Sequence, residues 1–535
     1  MDCFKSTIGE MLRCSAETWS DRTLVVDGET RLTYGEFDKT VDKLAGGFQR
    51  LGVGRGDHVA CWMTNGYWWL LTWFACCRLG APLVAVNTRY KAGEVGFILR
   101  QSDAKVLVAM PEYWGIDYRG MIADLAPGFE DGAPGLLSCT ELPNLRTVVF
   151  WGEENHPGTA SLQGLIDFDA PFVAPEHIDV EDPVIIIYTS GTTGDPKGAM
   201  HCHRVLRQGR NIARAMHMEA GDKVMGHMPL YHVAGSVATV IPAVMHGLTF
   251  VTMDQWEPAR ALDLIEAERI NIFGGIPTHF IDLLSLPGVE KCDTRCLKSA
   301  WIGGAPVTPA VAHSVREILN FDALQAVYGM TETMGMTALA PFDAPIEVTC
   351  ANKGLAIGDY EYRVVDRDTG EPVSTDTDGE IQVRGHILML GYYKDKVATD
   401  EVMTADGWFR TGDLGQIDSE GYLMITGRAK EMFIVGGSNA YPAEIERFIE
   451  THPDVEQAFV CGIPHPRLGE VCSAFIIVTK GARLSGDELI DHCRGRIADY
   501  KVPRHVEILD DFPRTTTNKI QRYLLQDLAA KRFRS

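Results

Sequence analysis

Residues 184–188, VIIIY, form an unbroken apolar run dominated by β-branched side chains. A run without polar alternation marks a strand buried on both faces, the position of a central strand in a parallel sheet covered by helices. It leads straight into YTSGTTGDPKG (188–198), which carries three glycines, four aliphatic hydroxyls and one lysine. Glycines let backbone N–H groups turn toward an anion, and the hydroxyls of Thr189, Ser190, Thr192 and Thr193 can donate to phosphate oxygens. Gly191 and Gly194 supply the turns, and Lys197 adds a mobile positive charge. The segment therefore predicts a phosphate-handling loop; a plain Gly/Thr surface loop is the alternative. It is no GxxxxGK[ST] loop, because Pro196 stands where the second glycine belongs.

The chain has 535 residues, 45% of them hydrophobic and 23% charged, a profile of globular domains rather than disorder or fibres. Fifty basic against 72 acidic residues leave a net charge of −22, which repels a phosphodiester backbone, so no nucleic acid partner is expected. The 13 cysteines follow no repeated spacing, and Cys292 and Cys296 lack a paired CxxC arrangement, which predicts reduced thiols in a cytoplasmic protein. His201, Cys202 and His203 have no accompanying cluster, so metal ligation is not expected there. No basic-then-apolar leader opens the sequence. Residues 59–77 and 224–253 lack Asp, Glu, Lys and Arg and are long enough to span a bilayer. Asn65-Gly66 breaks the first and Pro229 and Pro242 the second, so both read as buried core, with no transmembrane segment.

Short apolar runs alternating with amphipathic ones predict α/β layering. Around residues 358–385 turn signals between short strands predict hairpins in a small separate sheet. Beyond residue 428 a compact unit is expected. A helix opens at Pro442 with Ile445, Phe448 and Ile449 on one face, strands follow at 455–463 and 471–479, and a Ser485/Glu488 capping box starts a helix through Leu489, Cys493 and Ile497.

The loop at 188–198 resembles the signature loop of the adenylate-forming enzymes, the superfamily of acyl-CoA synthetases, peptide-synthetase adenylation domains and firefly luciferase. Further segments agree in order across the chain: PLYH (229–232), GGA (303–305), YGMTE (328–332), Gly379-Glu380, GWFRTGD (407–413), GRAK (427–430), Gly436-Gly437 through Pro442 and Glu444, and PRTTTNK (513–519). The resemblance implies a large multi-subdomain α/β domain over 1–428, a hinge at 429–430 turning on Lys430, and a small mobile α+β domain over 431–535.

It also implies roles for single residues. Glu332, with Thr192, would hold the Mg²⁺ that accompanies ATP, as a carboxylate suits a hard cation; alone it reads as a surface acid. Tyr328 with Gly329, Met330 and Thr331, and the flat backbone of Gly303, Gly304 and Ala305, would seat adenine. Asp413 would accept the ribose hydroxyls and Arg428 bind ribose or α-phosphate, although an Asp–Arg ion pair fits as well. Lys519 would bridge the attacking carboxylate and the α-phosphate; Asn518 stands where the family commonly has glycine, and Asn tolerates the same backbone. His232, after Tyr231, favours a non-amino acid substrate and would lie beside the reacting carboxylate; a core histidine is the alternative. Gly436 and Gly437 would line the pantetheine tunnel of coenzyme A.

The expected activity is an ATP-dependent carboxylic acid:CoA ligase that forms acyl-AMP and pyrophosphate, then acyl-CoA and AMP. ATP, Mg²⁺ and coenzyme A are the implied cofactors. The acid expected is a medium or long fatty acid or a bulky cyclic or aromatic one. An acyl-AMP ligase loading a carrier protein, a luciferase-like oxidase and a non-catalytic nucleotide sensor are the other readings. A homodimer is common among such enzymes.

Overall fold

The computed structural model describes residues 6–154, 156–189, 196–304, 307, 309–367, 369–428, 433–440, 442–479, 481–513 and 522–533. The chain divides into two compact units. Met1–Thr88, Val95–Tyr188 and Gly198–Thr426 form the first, and Arg89–Glu94, Thr189–Lys197 and Gly427–Ser535 the second.

In the first unit the apolar run lies within the strand Pro183–Thr189, where Val184, Ile185, Ile186, Ile187 and Tyr188 are all buried. Its neighbours in an eight-stranded sheet are Lys197–Cys202 and Leu83–Ala85. From Leu83–Ala85 the ladder continues in parallel through Val59–Trp62, Val106–Ala109 and Thr147–Phe150. Both faces being covered explains the missing alternation. Residues 59–77 resolve into the strand Val59–Trp62 and the helix Tyr67–Leu79, with Asn65-Gly66 between them. That helix is apolar almost all round and stops at Gly80, whose φ of 65° is the left-handed conformation glycine adopts freely. Among the described residues no helix is long and apolar enough to cross a membrane.

A thirteen-stranded sheet forms the other half of the first unit. Thr249–Thr252, Lys223–Gly226, Ile272–Gly275, Ser299–Gly303 and Ala323–Tyr328 run parallel. Helices Pro258–Glu268, Pro277–Leu284 and Pro309–Leu319 pack on it around Phe273, Phe280, Ile302 and Leu319. The hairpin expected near 358–385 exists, with Tyr362 opposite Val383. It is not a separate sheet, however. Lys353–Ala356 pairs with Ala338–Leu339 on one side and with the strand Leu423–Arg428 on the other, which fuses the hairpins to the parallel strands. A turn sequence sets the register within one hairpin but carries no information on what pairs with its outer edge.

The second unit has a five-stranded sheet in which Val455–His465 and Gly469–Val478 form a long antiparallel pair. Alternate residues face opposite ways: Ala458 and Val460 join a core with Ile445, Ile449 and Leu489, whereas Phe459 and Cys461 join another with Phe512, Leu525 and Ala529. Helices Pro442–Ile449 and Gly486–Cys493 belong to the first core and Arg522–Arg532 to the second. The Ser485/Glu488 capping box is formed in both directions. That helix ends at Cys493, short of Ile497, because Gly495 turns the chain at φ 72°.

Candidate functional site

In a parallel sheet the loops leaving the carboxyl ends of the strands gather along one edge, where ligands of α/β proteins bind. The segments after Gly226, Gly303 and Tyr328 leave three of the parallel strands at that edge of the thirteen-stranded sheet, with Ile272–Gly275 between the first and the second. Within the second unit, Thr189 at the end of its strand donates its hydroxyl to the carbonyl of Lys197 at 3.4 Å. Ser190, Gly191, Thr192, Thr193, Gly194, Ala305, Lys430 and Lys519 lie outside the described residues. Arg428 ends the strand Leu423–Arg428, and the structure describes its backbone alone.

Tyr328 and Asp413 meet directly. The phenol donates to Asp413 Oδ2 at 2.7 Å, and Asp413 is 2% exposed. Burial, and then the charge of Asp413, push the Tyr328 hydroxyl well above its ordinary range, so it stays a donor. The backbone N–H of Asp413 is held by the Thr411 hydroxyl at 3.0 Å, and Thr411 donates to the carbonyl of Ile381 at 2.7 Å. Behind Tyr328, Thr337 donates both its N–H and its hydroxyl to the Tyr328 carbonyl, at 2.9 and 3.2 Å.

The chain then turns tightly. A Cβ on Gly329 would overlap the Gly335 carbonyl oxygen, so residue 329 must be glycine for the turn to close. Met330 and Thr333 hold the turn by two side-chain to backbone hydrogen bonds of 3.2 Å. Glu332 sits within it, receiving the Tyr392 phenol on Oε1 at 2.8 Å and the Met389 N–H on its carbonyl at 2.9 Å. Gly335 packs against Val233 and Ala238, which sets this turn beside the helical segment that follows His232.

His232 is half-buried where a loop becomes helical. Its N–H donates to Pro229 at 3.0 Å and its carbonyl accepts from the N–H groups of Gly235 and Ser236, each at 3.0 Å. Gly303 is packed against Val327 on the next strand, and Gly304 has a φ of 77°, so this stretch presents bare backbone. In the second unit Gly436 and Gly437, at φ 53° and 79°, are the two central residues of the hairpin joining Phe433–Val435 to Ser438–Ala440. Two positive φ values in a two-residue loop mark a type I′ turn, so the backbone itself favours glycine at both positions whatever they line.

His201, Cys202 and His203 diverge. His203 Nδ1 accepts the N–H of Ile8 at 2.9 Å, Cys202 lies 3.1 Å from Arg204 Nε, and His201 is fully buried, where desolvation lowers its pKa to about 3. Among the described residues no three His, Cys, Asp or Glu side chains form a metal-binding group. An open cleft of about 560 Å³ lies at the amino ends of Val59–Trp62, Val106–Ala109 and Thr147–Phe150, lined by Asp57, His58, Asp103 and Lys105. Within it Lys105 pairs with Asp57, and Asp103 pairs with Lys394, next to the lining residue Tyr393.

The family model for AMP-binding enzymes matches residues 12–393, and that for the AMP-binding enzyme C-terminal domain matches residues 444–519. The chain belongs to the AMP-binding enzyme family. The protein YngI of Bacillus subtilis is 35% identical to this AMP-binding enzyme over 543 residues, covering 99% of this chain and 98% of YngI. The mitochondrial medium-chain acyl-CoA ligase ACSF2 of Danio rerio is 34% identical over 545 residues, 99% of this chain and 89% of that one. Among solved structures the amide bond synthetase McbA of Marinactinospora thermotolerans superposes with a TM-score of 0.84 at 26% identity, covering 97% of this chain and 99% of McbA. This AMP-binding enzyme is thus a member of the AMP-forming acyl-CoA synthetase group.

Residue-by-residue sequence reasoning missed several supports of this AMP-binding enzyme's site. Tyr392 holds the Glu332 carboxylate, and buried Gln208 donates its amide to the Met336 carbonyl. The Gly391-Tyr392 pair was the one local signal: that glycine has a φ of 134°, and a side chain there would press on Thr399.

Proposed function

We propose that this enzyme is an ATP-dependent carboxylic acid:CoA ligase, forming acyl-AMP and pyrophosphate and then acyl-CoA and AMP. The observation that carries the reading is the hydrogen bond from Tyr328 to the buried Asp413 followed directly by the Glu332 turn, a ring and carboxylate suited to a nucleoside beside a carboxylate suited to its phosphate-borne metal. Asp413 accepts the ribose hydroxyls, Tyr328 faces the purine, and the bare backbone at Gly303 and Gly304 admits the adenine edge. Lys519 delivers its ammonium between the two anions as the acid attacks. At about 4 Å and an effective dielectric of about 20 such a contact is worth on the order of 4 kcal/mol before desolvation.

The oxygen donors present suit Mg²⁺. Glu332 and, by the family pattern, Thr192 would hold it, in keeping with a cation bound through one or two carboxylates plus substrate phosphates. Bound there, it would offset phosphate charge.

A hinge at Lys430, with 1–428 as one body and 431–535 as the other, lets Lys519 act in the first half-reaction and be withdrawn for the second. His232 lies beside the carboxylate and, with Tyr231 before it, favours a non-amino acid. The likeness to a medium-chain acyl-CoA ligase supports a medium-chain fatty acid within the wider class of long fatty and bulky cyclic acids. The free thiols among the described residues suit a reducing, cytoplasmic setting.

Pyrophosphate release with ATP and Mg²⁺ across acids from acetate to palmitate and benzoate, with and without coenzyme A, tests this. Turnover that coenzyme A accelerates, with AMP and thioester as products, supports the ligase. Pyrophosphate release indifferent to coenzyme A moves the acceptor to a carrier protein or, as the likeness to McbA allows, an amine. Lys519→Ala abolishes acyl-AMP formation while sparing thioester formation from supplied acyl-AMP; equal loss of both would overturn its role.

A further inference from the structure

The Asn65-Gly66 pair, which reads in the sequence only as a break between strand and helix, places a buried amide where the two sheets of the first unit approach. Asn65 follows Val59–Trp62 of the eight-stranded sheet and is 5% exposed. Every hydrogen bond of its side chain goes to the other sheet. The two N–H of Nδ2 are shared among three carbonyls, those of Gly226 at 3.1 Å, Met228 at 3.0 Å and Met253 at 3.2 Å, and Oδ1 accepts the N–H of Leu230 at 2.9 Å.

Gly226 ends the strand Lys223–Gly226 and Met253 follows the strand Thr249–Thr252 beside it, while Met228 and Leu230 lie in the segment that leaves the first of these strands. Without Asn65 three buried carbonyls and one buried N–H would lose a partner, which a folded chain tolerates poorly. The amide thus fixes the backbone from 226 to 230. From there the constraint passes to His232. The Pro229 carbonyl accepts the His232 N–H at 3.0 Å, and a Cβ on Gly235 would overlap the carbonyls of Met228 and Pro229, so the helical segment after His232 is seated on the same backbone.

We propose that Asn65 is a positioning residue for the acyl-acid subsite: its amide, reaching from one sheet to the other, sets where the 226–232 backbone carries His232. The proposal rests on the reading that His232 lies beside the reacting carboxylate. Only a planar group with two donors and an acceptor at this length can serve. Asp keeps the shape but has no N–H and sets a charge against three carbonyls, while Ser reaches fewer partners.

The neighbouring residue supplies the control. Thr64 makes another tie between the sheets, its hydroxyl donating to the Asp254 carbonyl at 2.6 Å and its N–H to the Met110 sulfur at 3.4 Å, neither partner lying in residues 226–232. The experiment compares wild type, Asn65→Asp, Asn65→Ser and Thr64→Val in full-length enzyme, with thermal melting and steady-state pyrophosphate release at varied octanoate and varied ATP. Misplacement of a reacting group by about 1 Å costs on the order of a hundredfold in rate. The expected result is a drop of about that size in kcat/KM for octanoate in the Asn65 variants, with KM for ATP unchanged, while Thr64→Val lowers the melting temperature and leaves both KM values alone. Asn65 variants that lose only stability, as Thr64→Val does, overturn the proposal; so does failure of both to fold, which would make Asn65 a structural staple. If wild type turns over no acid in the full panel, the ligase reading itself falls and this assignment with it. Normal wild-type turnover with unaltered acid kinetics in the variants removes only the role of Asn65.

Discussion

The Tyr328 hydroxyl and the Asp413 carboxylate, 85 positions apart in sequence, share a hydrogen bond of 2.7 Å at a place where Asp413 is almost wholly shielded from water. A bond from a neutral donor to a buried charged acceptor contributes about 1.5–3 kcal/mol. Tyr328→Phe should therefore lower kcat/KM for ATP by about ten- to a hundredfold. Steady-state kinetics with ATP varied checks this, and an unchanged value would mean that Asp413 does not meet the nucleotide.

Glu332 and Tyr392 stand in a similar relation, at 2.8 Å. Removing the phenol leaves Glu332 in place with one oriented oxygen fewer. Tyr392→Phe should raise the free Mg²⁺ needed for half-maximal rate by about three- to tenfold, the worth of one ordinary hydrogen bond of about 1 kcal/mol. Saturating Mg²⁺ should restore most of the rate. A Mg²⁺ titration identical to wild type would separate Tyr392 from the metal.

Gly329→Ala should be far more damaging than its single methyl suggests. The new Cβ falls on the Gly335 carbonyl, a backbone atom that can move only if the turn carrying Glu332 opens. Overpacking of this kind costs about 1–3 kcal/mol or more. Loss of over about a hundredfold in activity, with a lowered melting temperature, is expected; calorimetry beside kinetics decides it.

Gly436 and Gly437 allow a test of turn against tunnel. Alanine at either left-handed position costs about 1–2 kcal/mol without any ligand present. Asparagine, which tolerates that conformation, should cost less. Stability of the second unit followed by limited proteolysis should rank Gly above Asn above Ala. Equal stability of all three would leave the glycines to substrate passage alone.

Acid should weaken the fold through buried imidazoles. Burial holds His201 near a pKa of about 3 and His203 near about 4, and takes His227 well below its ordinary 6.5. Since the unfolded chain binds these protons more readily, stability is full above about pH 6.5 and falls as pH drops toward the folded values, by up to about 1.4 kcal/mol per pH unit for each group. Denaturant midpoints at pH 7.5 and 5 should differ accordingly, and His201→Leu should flatten the slope. A midpoint unmoved between these pH values would contradict the burial of neutral imidazole.

Much of this enzyme is local in origin and so is legible in its sequence. The buried strand at 184–188, the break at Asn65-Gly66 and the Ser485 capping box depend on residues a few positions apart, and each forms as its side chains dictate. The order of the motifs, from 188–198 to 513–519, likewise marks the family before any contact is known.

What the tertiary structure alone decided is which distant groups share a hydrogen bond. Nothing near Asn65 indicates that its amide reaches Gly226, Met228, Leu230 and Met253 on another sheet, nor does anything near Tyr392 indicate Glu332. The fusion of the expected small sheet with the large one through Lys353–Ala356 is of the same kind. Periodicity and turn chemistry report the burial and backbone shape of a residue, whereas the partner of a buried polar group depends on how strands far apart in sequence are brought together, and that is settled only when the whole core packs.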